Sequence, residues 1–243
     1  MKTPDAAVKT DSPTRRVAAE GLGTALLLAA VVGSGIMAER LSGGSVGLAL
    51  LANTVATAAA LIALILTFGP LSGGHFNPAV TLVLALRGDT RWRDVPAYIA
   101  VQFCGAVGGV WIAHAMFAEP LWQFSQKVRS GPAQAFSEFV ATFGLLAVIW
   151  SCSLRRAEAG PYAVAGYIAA AYWFTASTSF ANPAVTVARS LTDSFAGIRP
   201  TDVPAFMAAE LLGAAVAAGL FTWLMPSRNT RAMARGAKLS ERA

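Results

Sequence analysis

The tripeptide Asn-Pro-Ala occurs twice, as Asn77-Pro78-Ala79 and as Asn182-Pro183-Ala184, each time within NPAVT. Asparagine carries an amide with two donor hydrogens and an acceptor oxygen. Proline is tolerated in the first turn of a helix, where its missing N–H would have no partner anyway. Each tripeptide therefore predicts the start of a helix, with a positive dipole end at the asparagine. Two such ends facing one another would give Asn77 and Asn182 as amide donors to the oxygen of an uncharged solute. They would also repel cations, protons included. Other polar side chains stand in strongly apolar surroundings, where such groups are costly: Glu20, Gln102, Glu138 and Glu210. His75 lies two residues before the first Asn-Pro and has an imidazole that titrates near ~6.5 when unperturbed. It could gate with pH, but a hydrogen bond that holds the loop is the reading adopted.

The segments that carry these residues are apolar. The 243-residue chain is 55% hydrophobic and 13% charged, and its mean hydropathy is +0.54. That composition excludes an ordinary soluble domain. Six stretches are long enough to cross a bilayer, near 17–38, 46–68, 95–117, 135–154, 161–179 and 203–225. Ser and Thr crowd the end of the fifth. Gly21, Gly23, Gly105, Gly109 and Gly213 would let helix backbones approach closely. Trp92, Trp122 and Trp223 fall near span ends, as interfacial belts require. Cys104 and Cys152 lie within spans and read as packing residues. Residues 1–16 are polar and show no signal-peptide pattern, and 226–243 form a basic tail. Both read as cytoplasmic. Of 19 Lys and Arg, 14 fall on the side of the termini, which puts that side inside. The net charge of +6 thus follows membrane topology, and no nucleic-acid partner is expected.

The chain repeats itself. DVPAYIAVQFCGA at 94–106 and DVPAFMAAELLGA at 202–214 share seven positions. Glu20 opens the first span and Glu138 the fourth. Each half holds a glutamate span, a second span, an NPAVT segment and a DVPA span. With three spans per half, repeat 2 (about 135–225) must enter the membrane inverted relative to repeat 1 (about 17–117). The NPAVT segments are too short to cross and too apolar for solvated loops, so they read as re-entrant half-helices meeting near the midplane. The predicted fold is all-α: six transmembrane helices and two half-helices in an inverted 3+3 repeat.

SGGHFNPAV, the second Asn-Pro-Ala, AAEGLGT, SEFVAT and the paired glutamates resemble the aquaporin and aquaglyceroporin (major intrinsic protein) family over residues 17 to about 225. The resemblance implies a passive channel for small uncharged solutes, assembled as a homotetramer with one pore per subunit. It implies that Glu20 and Glu138 accept hydrogen bonds from re-entrant loop backbone. Gln102 and Glu210, at equivalent places in the repeats, would hold loop backbone as well, or Glu210 would be protonated and packed.

The family's narrow outer filter maps onto Thr57, Ala170, Ser179 and Val185, the second position on the assumption of an ungapped loop. Val185 stands where most members have arginine. Four small residues imply a wide opening. The pattern resembles the bacterial subgroup found beside arsenic-resistance genes, which lacks that arginine and passes arsenic compounds. Thr186 stands where glycerol channels carry aspartate. The expected solutes are glycerol-like polyols, arsenite or other arsenicals, and water. Arg189, one turn after Val185 and about 6 Å further out, would line the outer vestibule as a displaced charge, or else pair with Asp193 or an interfacial group. A coupled secondary transporter is the alternative, because it too uses inverted repeats and membrane carboxylates. No enzyme is expected, and no cofactor or metal: no Ser/His/Asp set, ligand cluster or phosphate loop is visible. The short termini and compact loops point to a bacterial plasma membrane.

Overall fold

The computed structural model describes residues 12–225, which form eight α-helices joined by short turns. They are α1 (Pro13–Leu41), α2 (Val46–Ser72), α3 (Pro78–Leu86), α4 (Val95–Phe117), α5 (Pro132–Arg155), α6 (Gly160–Phe174), α7 (Pro183–Arg189) and α8 (Val203–Leu224). Among the described residues α1, α2, α4, α5 and α8 are long and apolar enough to cross a membrane. Their outward faces carry exposed Leu, Val, Phe and Trp side chains, including Val55, Phe136, Leu212 and Trp223. A face of that kind is expected where lipid is the solvent.

The expected spans match these helices, with two corrections at their ends. α1 begins at Pro13, so residues 13–16 belong to the first helix and not to a tail. The basic tail at 226–243 lies outside the described residues. α6 has 15 residues and stops at Phe174, five short of the expected boundary. The reason is local. In Thr175-Ala176-Ser177-Thr178-Ser179 the hydroxyls capture backbone groups that a helix would use. Ser179 N–H donates to the Ser177 Oγ, and Ala176 N–H donates to the Ser137 Oγ. Thr178 and Ser179 then turn to φ of 65° and 51°, which no α-helix allows.

Packing follows the repeat. α1 lies against α4 and α2, α5 lies against α8 and α6, and α2 against α6 joins the halves. One close approach is equivalent in the two halves. A Cβ on Gly105 would sit 2.3 Å from Gly21 O, and a Cβ on Gly213 would sit 2.5 Å from Phe139 O. Glycine on α4 and α8 is what lets each helix lie on its partner's backbone. Gly109 makes the same kind of contact with Ala25 O at 2.2 Å.

Candidate pore

The two half-helices meet tip to tip. Asn77 caps α3 and Asn182 caps α7, each accepting a bond through Oδ1 from the N–H two residues on, at 2.9 and 3.0 Å. Each amide then crosses to the other half. Asn77 Nδ2 donates to Ala181 O at 2.7 Å, and Asn182 Nδ2 donates to Phe76 O at 2.8 Å. Phe76 and Ala181 directly precede the two asparagines and hold φ of 48° and 50°. Left-handed backbone at a non-glycine residue persists only where its surroundings enforce it. One of the two hydrogens on each amide is spent on this lock, which leaves one for a solute.

The enforcing groups are the membrane glutamates. Glu20 accepts from His75 N–H (2.9 Å), Phe76 N–H (2.8 Å) and Ser72 Oγ (2.7 Å). Glu138 accepts from Phe180 N–H (2.9 Å) and Ala181 N–H (2.7 Å). Both are fully buried. A carboxylate fixed by backbone donors in this way satisfies itself and shapes the loop. The third spans complete each arrangement. Gln102 Nε2 donates to Glu20 Oε2 at 2.9 Å and to Thr81 Oγ1 at 3.0 Å. Glu210 instead accepts, from Asn182 N–H (3.2 Å) and Thr186 Oγ1 (2.5 Å). His75 shares a 3.1 Å contact between Nδ1 and Thr81 Oγ1 and packs edge-on against Tyr98. His114, on α4, bonds Thr192 Oγ1 through Nε2 at 2.9 Å and is a packing residue.

A cavity of about 480 Å³ runs from His75 and Glu158 at one end, past Asn77, to Val185 and Arg189 at the other. Thr57, Ser179 and Val185, three of the four positions mapped to the filter, line it. Ala170 does not. It is exposed on the outer face of α6, and Tyr172 lines the cavity in its place. The loop between α6 and the second asparagine is therefore two residues shorter than the ungapped mapping assumed. The Tyr172 hydroxyl donates to Thr57 Oγ1 at 3.3 Å, so the ring holds one aromatic group and is not uniformly small. The α6 residues Pro161, Ala165, Ile168 and Tyr172 form the buried stripe. Their helical spacing was visible in the sequence and leaves Ala170 off that face.

Arg189 faces the same cavity and is 2% exposed. Its Nε donates to Ala196 O, and its guanidinium lies over the Phe180 ring, 3.4 Å from the centroid. The expected alternative of a pair with Asp193 does not form, because Asp193 Oδ1 accepts from Gln126 N–H. Arg129, from the α4–α5 connection, reaches the same corner. It donates to Gly197 O (2.8 Å) and Ser177 O (3.0 Å) and also lies over Phe180, at 5.1 Å. The sequence held no signal for this, since a loop arginine looks the same whether it points to water or inward.

Comparison with known proteins agrees with this geometry. Residues 7–166 match the family model described as major intrinsic protein. The chain is 57% identical over 216 residues to the aquaglyceroporin AqpS of Rhizobium meliloti (strain 1021), covering 88% of this chain and 92% of that one. It is 29% identical over 214 residues to aquaporin NIP6-1 of Arabidopsis thaliana, covering 86% and 68%. The X-ray structure of the aquaglyceroporin from Plasmodium falciparum shares the fold at a TM-score of 0.62 and 20% identity, over 86% of this chain and 96% of that one. With its locked Asn-Pro-Ala tips, its glutamate-held loops and these matches, the chain belongs to the major intrinsic protein family.

Proposed function

We propose that the protein is a passive membrane channel for small uncharged hydroxylated solutes: glycerol-like polyols, undissociated arsenous acid and related arsenicals, and water. The observation that carries this is the continuous cavity past the joined half-helix tips. Its walls are mostly apolar, with few hydrogen-bonding groups, so a neutral solute exchanges water contacts for a small number of fixed ones. The selectivity ring consists of Thr57, Tyr172, Ser179 and Val185. Ser179 lines the cavity, and its buried hydroxyl has no hydrogen-bond partner among the described residues. Arg189 supplies from one turn further out the positive charge that Val185 lacks. Both termini lie in the cytoplasm, the membrane is the bacterial plasma membrane, and the protein assembles as a homotetramer.

Coupling to a proton gradient is disfavoured because Glu20 and Glu138 are committed to loop amides and cannot exchange partners without opening the tips. The test is reswelling of proteoliposomes driven by water, glycerol or arsenite, with and without a protonophore. Uptake of glycerol or arsenite that ignores the protonophore is expected. Uptake that collapses with it would make the protein a coupled transporter. Val185→Arg adds bulk and charge to the ring, and should cut glycerol flux about tenfold while reducing water flux less.

A further inference from the structure

Arg189 lines the outer end of the cavity, and two further cations stand close behind it: Arg129, which shares the Phe180 ring with Arg189, and Lys127, which shares Phe195 O with Arg129. Arg189 is buried, and only its Nε is bonded to another group among the described residues. Its two terminal nitrogens are left over, on a side chain that lines the cavity. Arg129 is 7% exposed. The Lys127 ammonium donates to Phe195 O and sits over the Phe195 ring. Among the described residues no carboxylate forms an ion pair with any of the three. The acids that face this corner are committed elsewhere: Glu138 to the 180–181 amides, Glu210 to Asn182 and Thr186, Glu39 to Phe195 N–H, Asp202 to Arg129 N–H and Arg199. These carboxylates offset part of the positive charge from a distance, but none touches the three cationic heads. Like charges held together without a direct partner are costly, and the cost falls when an anion occupies the corner. A guanidinium with both terminal nitrogens free is matched by two oxygens of one anion.

We propose that the corner formed by Arg189, Arg129 and Lys127 is a binding site for a small oxyanion, a carboxylate or oxyacid anion held in a bidentate grip by Arg189. Ser179 lines the same cavity, and its hydroxyl has no partner among the described residues. A bound anion occupies the solute path and competes with neutral solutes at the mouth. The site rests on the placement of these side chains and not on what the pore conducts.

Acetate is the probe and acetamide its neutral isostere. Binding to the full chain in detergent micelles is read by saturation-transfer NMR, at low and high chloride. Acetate should bind, weaken with salt, and exceed acetamide about tenfold. Arg189→Met should weaken acetate about tenfold or more, and Arg189→Lys, which keeps charge without the fork, should fall between. Lys127→Ala, at a half-buried position, should weaken it by about threefold and keeps the result readable if an arginine variant fails to fold. Equal binding of acetate and acetamide would overturn the site, as would acetate binding unchanged in Arg189→Met. Glycerol reswelling of liposomes bearing the same protein, with acetate outside, separates the two ideas. Acetate should slow glycerol, and an absence of glycerol flux would count against the channel while leaving the binding result to stand.

Discussion

At the scale of single residues, the two halves solve one problem with different chemistry. Repeat 1 puts an amide donor, Gln102, beside the loop-holding Glu20, whereas repeat 2 puts a second carboxyl, Glu210, beside Glu138. The acceptor role of Glu210 toward Asn182 N–H and Thr186 Oγ1 needs only an oxygen, which glutamine also has. Glu210→Gln should therefore fold with near-normal thermal stability. Glu210→Ala leaves two buried donors unpaired and should cost about 1–3 kcal/mol for each. Unfolding temperatures of the two variants in detergent would check this, and equal losses would refute the acceptor role. The same accounting explains why Glu20 and Glu138 could be singled out from sequence. A glutamate within an apolar span must find donors, and the nearest unpaired donors are the amides of the non-helical loops.

At the scale of elements, helix contact rests on two equivalent glycines. Gly105 lets α4 lie on the α1 backbone at Gly21, and Gly213 lets α8 lie on the α5 backbone at Phe139. Adding a methyl at either place drives it into a carbonyl oxygen, and the helices must separate. Gly105→Ala and Gly213→Ala should each destabilise the protein by about 1–3 kcal/mol. Gly108 and Gly219, where an added Cβ meets nothing, serve as controls that should change little. Thermal melts of the four variants would decide, and a control as damaging as Gly105→Ala would count against the packing argument. α6 teaches the converse lesson. Its end was misplaced from hydropathy because hydropathy averages over Thr175–Ser179 while helix formation there fails residue by residue through hydroxyl–backbone bonds.

At the scale of the whole molecule, charge is distributed unevenly along the pore. Burial, together with the neighbouring Arg129 and Arg189, pushes the Lys127 ammonium down to about 8, against the weaker pull of Glu39. Its folded value is depressed, so the native state resists protonation. The destabilisation is fully present below about pH 8 and is relieved as pH rises from there toward 10.5. Stability should rise with pH across that window, and Lys127→Met should flatten the rise. The outer mouth also loses one positive charge as pH passes about 8, so the block of glycerol flux by acetate should weaken there in wild type but not in Lys127→Met. Flux measured between pH 7 and 9 in both proteins would show it (pH values chosen about the Lys127 midpoint).

The sequence by itself determined the inverted repeat, the number and order of the helices, the two Asn-Pro-Ala tips and the glutamates beneath them. Each of these follows from local constraints: a bilayer sets the span length, proline and asparagine set a helix start, and a buried carboxylate demands donors. Tertiary structure alone decided which side chains share the outer corner. Tyr172 stands in the place mapped to Ala170 because the loop before Asn182 is two residues shorter than an ungapped count assumes. The helical spacing of α6 was legible in the sequence, but which residue of that face meets the filter was not. Arg129 turned inward because the carbonyls of Ser177 and Gly197, far away in the chain, are left without helical partners at that point and take its donors. Arg189 found Ala196 O and the Phe180 ring for the same reason, leaving Asp193 to the backbone of Gln126. Contacts of this kind depend on the α4–α5, α6–α7 and α7–α8 connections converging in space, and local sequence pattern carries no information about that convergence.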